Sequence, residues 1–260
     1  MGERTEYAPG LFCWADLSTT DPDAARAFYG TVLGWEGQAG DPEFGGYSVM
    51  SLDGSAVAGI APQLPEQREA GVLPSWLSYV SVEDADATAA AAEAAGGTVV
   101  APGFDVSELG RMAVLADPQG AIFAVWQPGT MAGAEMVNDP GAMTINQLNT
   151  TDPAGAERFY TEVFGWEFTQ VAEKPVAFWG ITSGGRLNGG MMPLDPSAPA
   201  PPHWLVYFTV EDLDGGDALI VDGGGAVVVP PREIPNGGRI LVAHDPQYAF
   251  FALFEGCVDP

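Results

Sequence analysis

Residues 12–18 alternate apolar and polar side chains at the two-residue period of a β-strand. Asp21 then offers an N-cap oxygen and Pro22 occupies the first helical position, where its missing N–H costs nothing. Phe28, Val32 and Leu33, with Tyr29 beside them, give the helix an apolar face, and Gly34 ends it. Short glycine-punctuated strands follow at 47–52 and 56–61, then a second strand and an alanine-rich helix at 84–95 that stops at Gly96 and Gly97.

The same pattern recurs. Residues 17–36 and 148–167 are identical at twelve of twenty positions, an offset of 131. PSWLSYVSVEDAD from Pro74 matches PHWLVYFTVEDLD from Pro202, and ADPQGAIFAVW from Ala116 matches HDPQYAFFALF from His244, both at an offset of 128. Asp152, Pro153, Phe159, Val163, Phe164 and Gly165 repeat the first helix, strands are expected at 178–182 and 187–192, and a helix at 212–221 ends on the glycines at 223–225. Each half divides again, giving modules at 11–62, 75–127, 142–194 and 203–255. The expected fold is α+β: four βαβββ modules paired into two open-barrel, cup-shaped units, with helices on the outer faces of the sheets. The units span 8–130 and 140–258, joined by a linker at 128–141, and the polar first ten residues are expected to fray.

The T-D-P cap, the F-Y-x-x-V-L-G-W helix and the D-P-x-G turn resemble the vicinal oxygen chelate superfamily, which includes glyoxalase I, bleomycin-resistance proteins and extradiol dioxygenases. The doubled arrangement is similar to two-unit actinobacterial members described as hydroxylases or glyoxalase-like. The resemblance implies a metal ligand seven residues before each capping Asp and another seven after the Asp of the turn. Those positions hold Trp14, Leu77, Ile145, Leu205, Ala124 and Ala252, none of which can donate to a divalent ion. His203 and His244 have no histidine mates in the other half, and Glu255 lies three residues from the implied glutamate with its side chain on the other face. No metal and no other cofactor is implied.

If Trp14 faces the first cup, strand parity brings Asp16 and Ser18 with it, together with Tyr79 and Trp126. Ile145, Gln147, Asn149, Tyr207 and Phe254 face the second cup, and His203 shares the side of Leu205. Arg111 and Arg239 each follow a glycine and open a strand, as rim cations or ion-pair partners, and Arg111 is counted with the first cup's binding residues. Aromatic faces with a few hydrogen-bonding groups suit a flat, partly apolar small molecule. Asp16, set among aromatic rings, has the surroundings that raise a carboxyl pKa and is the candidate catalytic base.

Composition narrows the partners. Nine Lys and Arg against 35 Asp and Glu give a net charge of -26, which disfavours nucleic acid. No apolar run reaches membrane-spanning length and no signal-peptide pattern opens the chain, so a cytoplasmic protein, monomer or homodimer, is expected. Cys13 and Cys257 make no disulfide framework. Two functions follow. One is a metal-free protein that binds an aromatic or polyketide-like compound in resistance or secondary metabolism. The other is a metal-independent acid–base enzyme (hydroxylase-like, cyclase, isomerase or lyase) using Asp16. A metal-dependent glyoxalase or dioxygenase would need donors that these positions lack.

Overall fold

The structure is a computed structural model that describes residues 2–174, 176–195, 197, 200–234 and 237–257. Residue 258, the expected end of the second unit, lies outside the described residues. The first module comprises β1 (Phe12–Thr19), α1 (Pro22–Leu33), β2 (Ser48–Leu52) and β3 (Ser55–Pro62). After the short helix α2 (Pro65–Glu69) the second comprises β4 (Ser75–Ser81), α3 (Ala85–Ala94), β5 (Thr98–Val106), β6 (Gly110–Ala116) and β7 (Ile122–Pro128). The third is β8 (Met143–Thr150), α4 (Pro153–Phe164), β9 (Glu167–Ala172), β10 (Phe178–Ser183) and β11 (Arg186–Pro193). The fourth is β12 (His203–Thr209), α5 (Leu213–Asp222), β13 (Ala226–Glu233), β14 (Arg239–His244) and β15 (Phe250–Glu255).

Local chemistry sets these boundaries. The Asp21 carboxylate accepts from the Ala24 N–H at 3.0 Å, and Asp152 does the same for Gly155 at 3.0 Å. Gly34 and Gly165 end α1 and α4 in the left-handed region, with φ of 76° and 69°. Consecutive modules share one sheet. The first runs β2-β3-β1-β4-β7-β6-β5, and the second runs β13-β14-β15-β12-β8-β11-β10-β9.

Two expectations are corrected. The first module has two strands after its helix, not three. Where the third module forms β9 from EFTQVA, the first has only a bridge between Glu36 and Ser51, because Gly37, Gly40 and Pro42 carry poor strand propensity. The N-terminal segment is not frayed from residue 2 onward. Arg4 N–H donates to the Glu135 carbonyl at 2.8 Å, and the Tyr7 hydroxyl donates to the Ala134 carbonyl at 2.6 Å. The linker is anchored too, since Ala134 N–H donates to the Cys13 carbonyl at 2.7 Å.

The helix-bearing faces of the two sheets meet each other, although the outer sides of the helices remain exposed. Buried side chains of both units form one continuous apolar cluster, including Phe12, Trp76, Trp166, Trp204 and Phe208. At its edges stand two matching braces. Tyr29 in α1 donates to Asp245 at 3.2 Å and accepts from the Trp76 indole at 3.0 Å. Tyr160 in α4 donates to Asp117 at 3.1 Å and accepts from the Trp204 indole at 2.9 Å. The other oxygen of Asp117 accepts from the N–H groups of Gln119 and Ala121, and that of Asp245 from Gln247 and Ala249, all at 2.9 Å. Each carboxylate therefore closes a hairpin turn in one unit and holds a helix of the other.

Tyr160→Phe removes the hydroxyl and leaves the Trp204 N–H without a partner in the core. Urea unfolding is expected to record a loss of about 2 kcal/mol, and Tyr29→Phe a similar one. A change below about 0.5 kcal/mol in both would show that the braces contribute nothing.

Candidate functional site

Back-to-back packing turns the concave faces of the two sheets away from each other, and the register decides what lines them. In the first sheet Trp14 lies opposite Tyr79, Asp16 opposite Leu77, and Tyr79 beside Ala124. Trp14, Asp16, Tyr79 and Trp126 thus share the cup face, as expected. Ser18 lies on the same face at the end of β1, opposite Ser75.

Asp16 is the centre of this cup. Its Oδ2 accepts from the Tyr79 hydroxyl at 2.7 Å and from the Tyr47 hydroxyl at 3.5 Å, while the Trp14 indole donates to Tyr47 at 2.9 Å. Burial pushes the carboxyl up to about 6, against the two phenol hydrogen bonds, which favour the charged form. The half-buried residue thus has a deeply set carboxyl group.

Tyr47 was not among the expected site residues. It enters over Gly59, where a Cβ would overlap its hydroxyl. The same device appears in the second unit, where Phe178 lies over Gly190. The signal was available in the sequence: both the aromatic and the glycine recur at an offset of 131.

Arg111 is not brought to the first cup. Its neighbour Met112 faces the cup, with Sδ 3.9 Å from the Tyr79 hydroxyl, so Arg111 projects from the opposite face. There it pairs with Asp86 at 2.9 Å and Asp105 at 2.8 Å. Arg239 does the same with Asp214 and Glu255, at 2.7 and 3.3 Å.

The second cup holds a cavity of about 350 Å³. Ile145, Val171, Phe178, Met192, Ile234 and Ile240 supply its apolar wall, with Gln147 and Tyr207 as polar groups. Leu205, Tyr207, Ile240, Ala252 and Phe254 pack as an apolar cluster separate from the main core. Phe254 belongs to this cluster and is buried, but it does not line the cavity.

A directed chain of hydrogen bonds leads away from the floor, and of its side chains Tyr207 and Gln147 line the cavity while Asn149 and His203 do not. The Tyr207 hydroxyl donates to Gln147 Oε1 at 2.8 Å, and Gln147 Nε2 donates to Asn149 Oδ1 at 2.8 Å. Asn149 Nδ2 lies 3.2 Å from His203 Nε2, and His203 Nδ1 lies 2.8 Å from the Pro201 carbonyl. A carbonyl can only accept, so His203 carries its proton on Nδ1 and accepts at Nε2, which fixes both amide orientations. Burial holds the His203 pKa below its ordinary value, consistent with a neutral ring. The second N–H of Gln147 remains as a donor on the floor.

The cups do not fit a divalent metal. The superfamily's ligand positions are occupied by Trp14, Leu77, Ala124, Ile145, Leu205 and Ala252, and among the described residues no three His, Cys, Asp or Glu side chains converge. His203 is engaged at both nitrogens.

Comparison with known proteins places this geometry in context. Residues 14–126 match the Glyoxalase-like domain, and residues 132–250 match the Glyoxalase/Bleomycin resistance protein/Dioxygenase superfamily. The chain is 38% identical over 258 residues to the putative glyoxylase CFP32 of Mycobacterium tuberculosis, covering 98% of each. It is 36% identical over 264 residues to the anthracycline biosynthesis protein DnrV of Streptomyces peucetius, covering 96% of this chain and 95% of that one. Among solved structures, the Mn(II)-bound glyoxalase of Novosphingobium aromaticivorans superposes with a TM-score of 0.68 at 17% identity, covering 96% of this chain and 84% of that one. The 2,3-dioxygenase LapB of a Pseudomonas species gives 0.67 at 16% identity, covering 98% and 95%. These structures share the fold, while the sequence relatives extend over both units. The chain belongs to the glyoxalase/bleomycin resistance protein/dioxygenase superfamily, in its two-unit form.

Proposed function

We propose that this chain is a binding protein for a flat, largely apolar small molecule of the aromatic polyketide class, acting in secondary metabolism, and that the second cup is its binding site. The observation that carries this reading is the cavity of about 350 Å³, a volume in the range of small-molecule sites, with an apolar wall and a floor whose free donor is one amide N–H. Such a floor matches a carbonyl oxygen on an aromatic ring system. The likeness to an anthracycline biosynthesis protein supports the ligand class. Gln147 stands where the first cup has Asp16, so the floor of this cup holds an amide in place of a carboxylate.

Isothermal titration with a hydroxylated anthraquinone tests the site. Met192→Trp fills the cavity from β11 and is expected to weaken binding at least tenfold with the circular dichroism spectrum unchanged. Gln147→Leu, which removes the floor donor, is expected to cost about fivefold to tenfold. Equal binding by wild type and Met192→Trp would exclude this cup.

A second reading rests on Asp16 as a general base in the first cup, an acid–base enzyme that needs no metal donor. A carboxyl with a pKa of about 6, flanked by two phenols, is poised to exchange a proton near neutrality. A carboxyl whose folded pKa lies above its unfolded value of 3.8 favours the fold when protonated, so this contribution is lost as pH rises from about 4 through about 6. Asp16→Asn is therefore expected to be more stable than wild type at about pH 8, on the order of 2 kcal/mol, and equal to it near pH 4. Loss of turnover in that variant with ligand binding kept would favour the enzyme over the binding protein.

A further inference from the structure

Positive charge is scarce in this chain, and part of it is gathered at one opening. Of nine Lys and Arg, two border the second cavity: Lys174, the single lysine, after β9, and Arg232 on β13. They come from the two different modules of the unit, and both border the one cavity. Arg26, Arg111 and Arg239 are paired with carboxylates. Among the described residues no carboxylate lies within ion-pair distance of Lys174 or Arg232.

Arg232 lies opposite Ile240, a wall residue of the cavity, so it stands on the cup face. Burial holds the Tyr207 phenol above its ordinary pKa, and the Arg232 charge opposes that rise only in part. Glu233 also borders the cavity, but it lies opposite Arg239, whose side chain reaches α5 on the other face of the sheet.

The repeat provides an internal control. At the same offsets the first unit has Glu43 in place of Lys174 and Phe104 in place of Arg232. The cationic opening therefore belongs to the second cup and is not a general feature of the fold. A net charge of -26 repels anions from the surface at large, and screening over about 8 Å leaves a local pair of cations free to act against that field.

We infer that the ligand of the second cup is an organic acid: a flat apolar ring system whose carboxylate sits between Lys174 and Arg232 while its rings rest on Phe178. This rests on the reading of the second cup as the binding site.

Anthraquinone-2-carboxylate and its methyl ester, titrated into wild type and into Lys174→Gln/Arg232→Gln, test it. Wild type is expected to bind the acid at least tenfold more tightly than the ester, with the preference shrinking at high salt. The double variant, altered at two exposed positions, is expected to bind both with the affinity of the ester. Equal binding of acid and ester by wild type overturns the inference and leaves the cup reading standing. So does a preference for the acid that survives in the double variant. Binding of neither compound, or binding unchanged by Met192→Trp, overturns the cup reading and the inference with it.

Discussion

A tyrosine held by a carboxylate of the opposite unit, made twice, is the contact on which this molecule is organised. Asp117 and Asp245 are 2% and 0% exposed, and burial raises the pKa of both. Such groups are tolerable only with their oxygens occupied. Two backbone N–H groups of the turn take one oxygen, and the tyrosine of the other unit takes the second. The turn Asp and the helix Tyr are therefore parts of one interface. The F-Y helix and D-P turn that mark the superfamily act in this chain to join units, and they carry no information about what the cups do.

That division of labour leaves the cups free to differ. The sheets are fixed through one face, and the opposite faces take no part in joining the two units. Within identical backbone registers, Asp16 beside Gly59 becomes Gln147 beside Gly190, and Tyr47 becomes Phe178. One charge and one hydroxyl are lost together. The consequence is a change of kind. The first cup encloses a carboxylate satisfied by its own phenols, whereas the second has an uncharged floor beneath an apolar wall.

The modules, the helix caps and the repeat were legible in the sequence because each depends on local grammar: Asp before Pro, an apolar stripe, a closing glycine. The cup-facing set Trp14, Asp16, Tyr79, Gln147 and Tyr207 was legible from strand parity, which holds from Trp14 to Ser18 and from Asn146 to Asn149 despite register shifts at Phe12/Trp14 and Val206/Phe208. Arg111 failed the same test. A bulge-free β6–β7 ladder pairs Met112 with Trp126, which puts Met112 on the cup face and Arg111 behind it. Lys174 and Arg232 were beyond parity, because their sharing one cavity depends on how two modules close around it. The missing edge strand of the first module was visible only as Gly37 and Gly40 where its repeat mate has Phe168 and Val171.

The direction of the second cup's hydrogen bonds is set outside the cup. Pro201 has only a carbonyl to offer, and that carbonyl dictates the His203 tautomer, then the rotation of Asn149, then that of Gln147. Reversing any link would set donor against donor at His203 or leave the Tyr207 hydroxyl facing an N–H group. A half-buried histidine held below its ordinary 6.5 stays neutral at physiological pH, so the floor keeps presenting a donor there. A ligand with a carbonyl at one end and an acid at the other would meet an N–H group below and two cations above. For the proposed ligand, complementary ends of one molecule would face the two ends of the cup, with a flat, uncharged middle along the apolar wall.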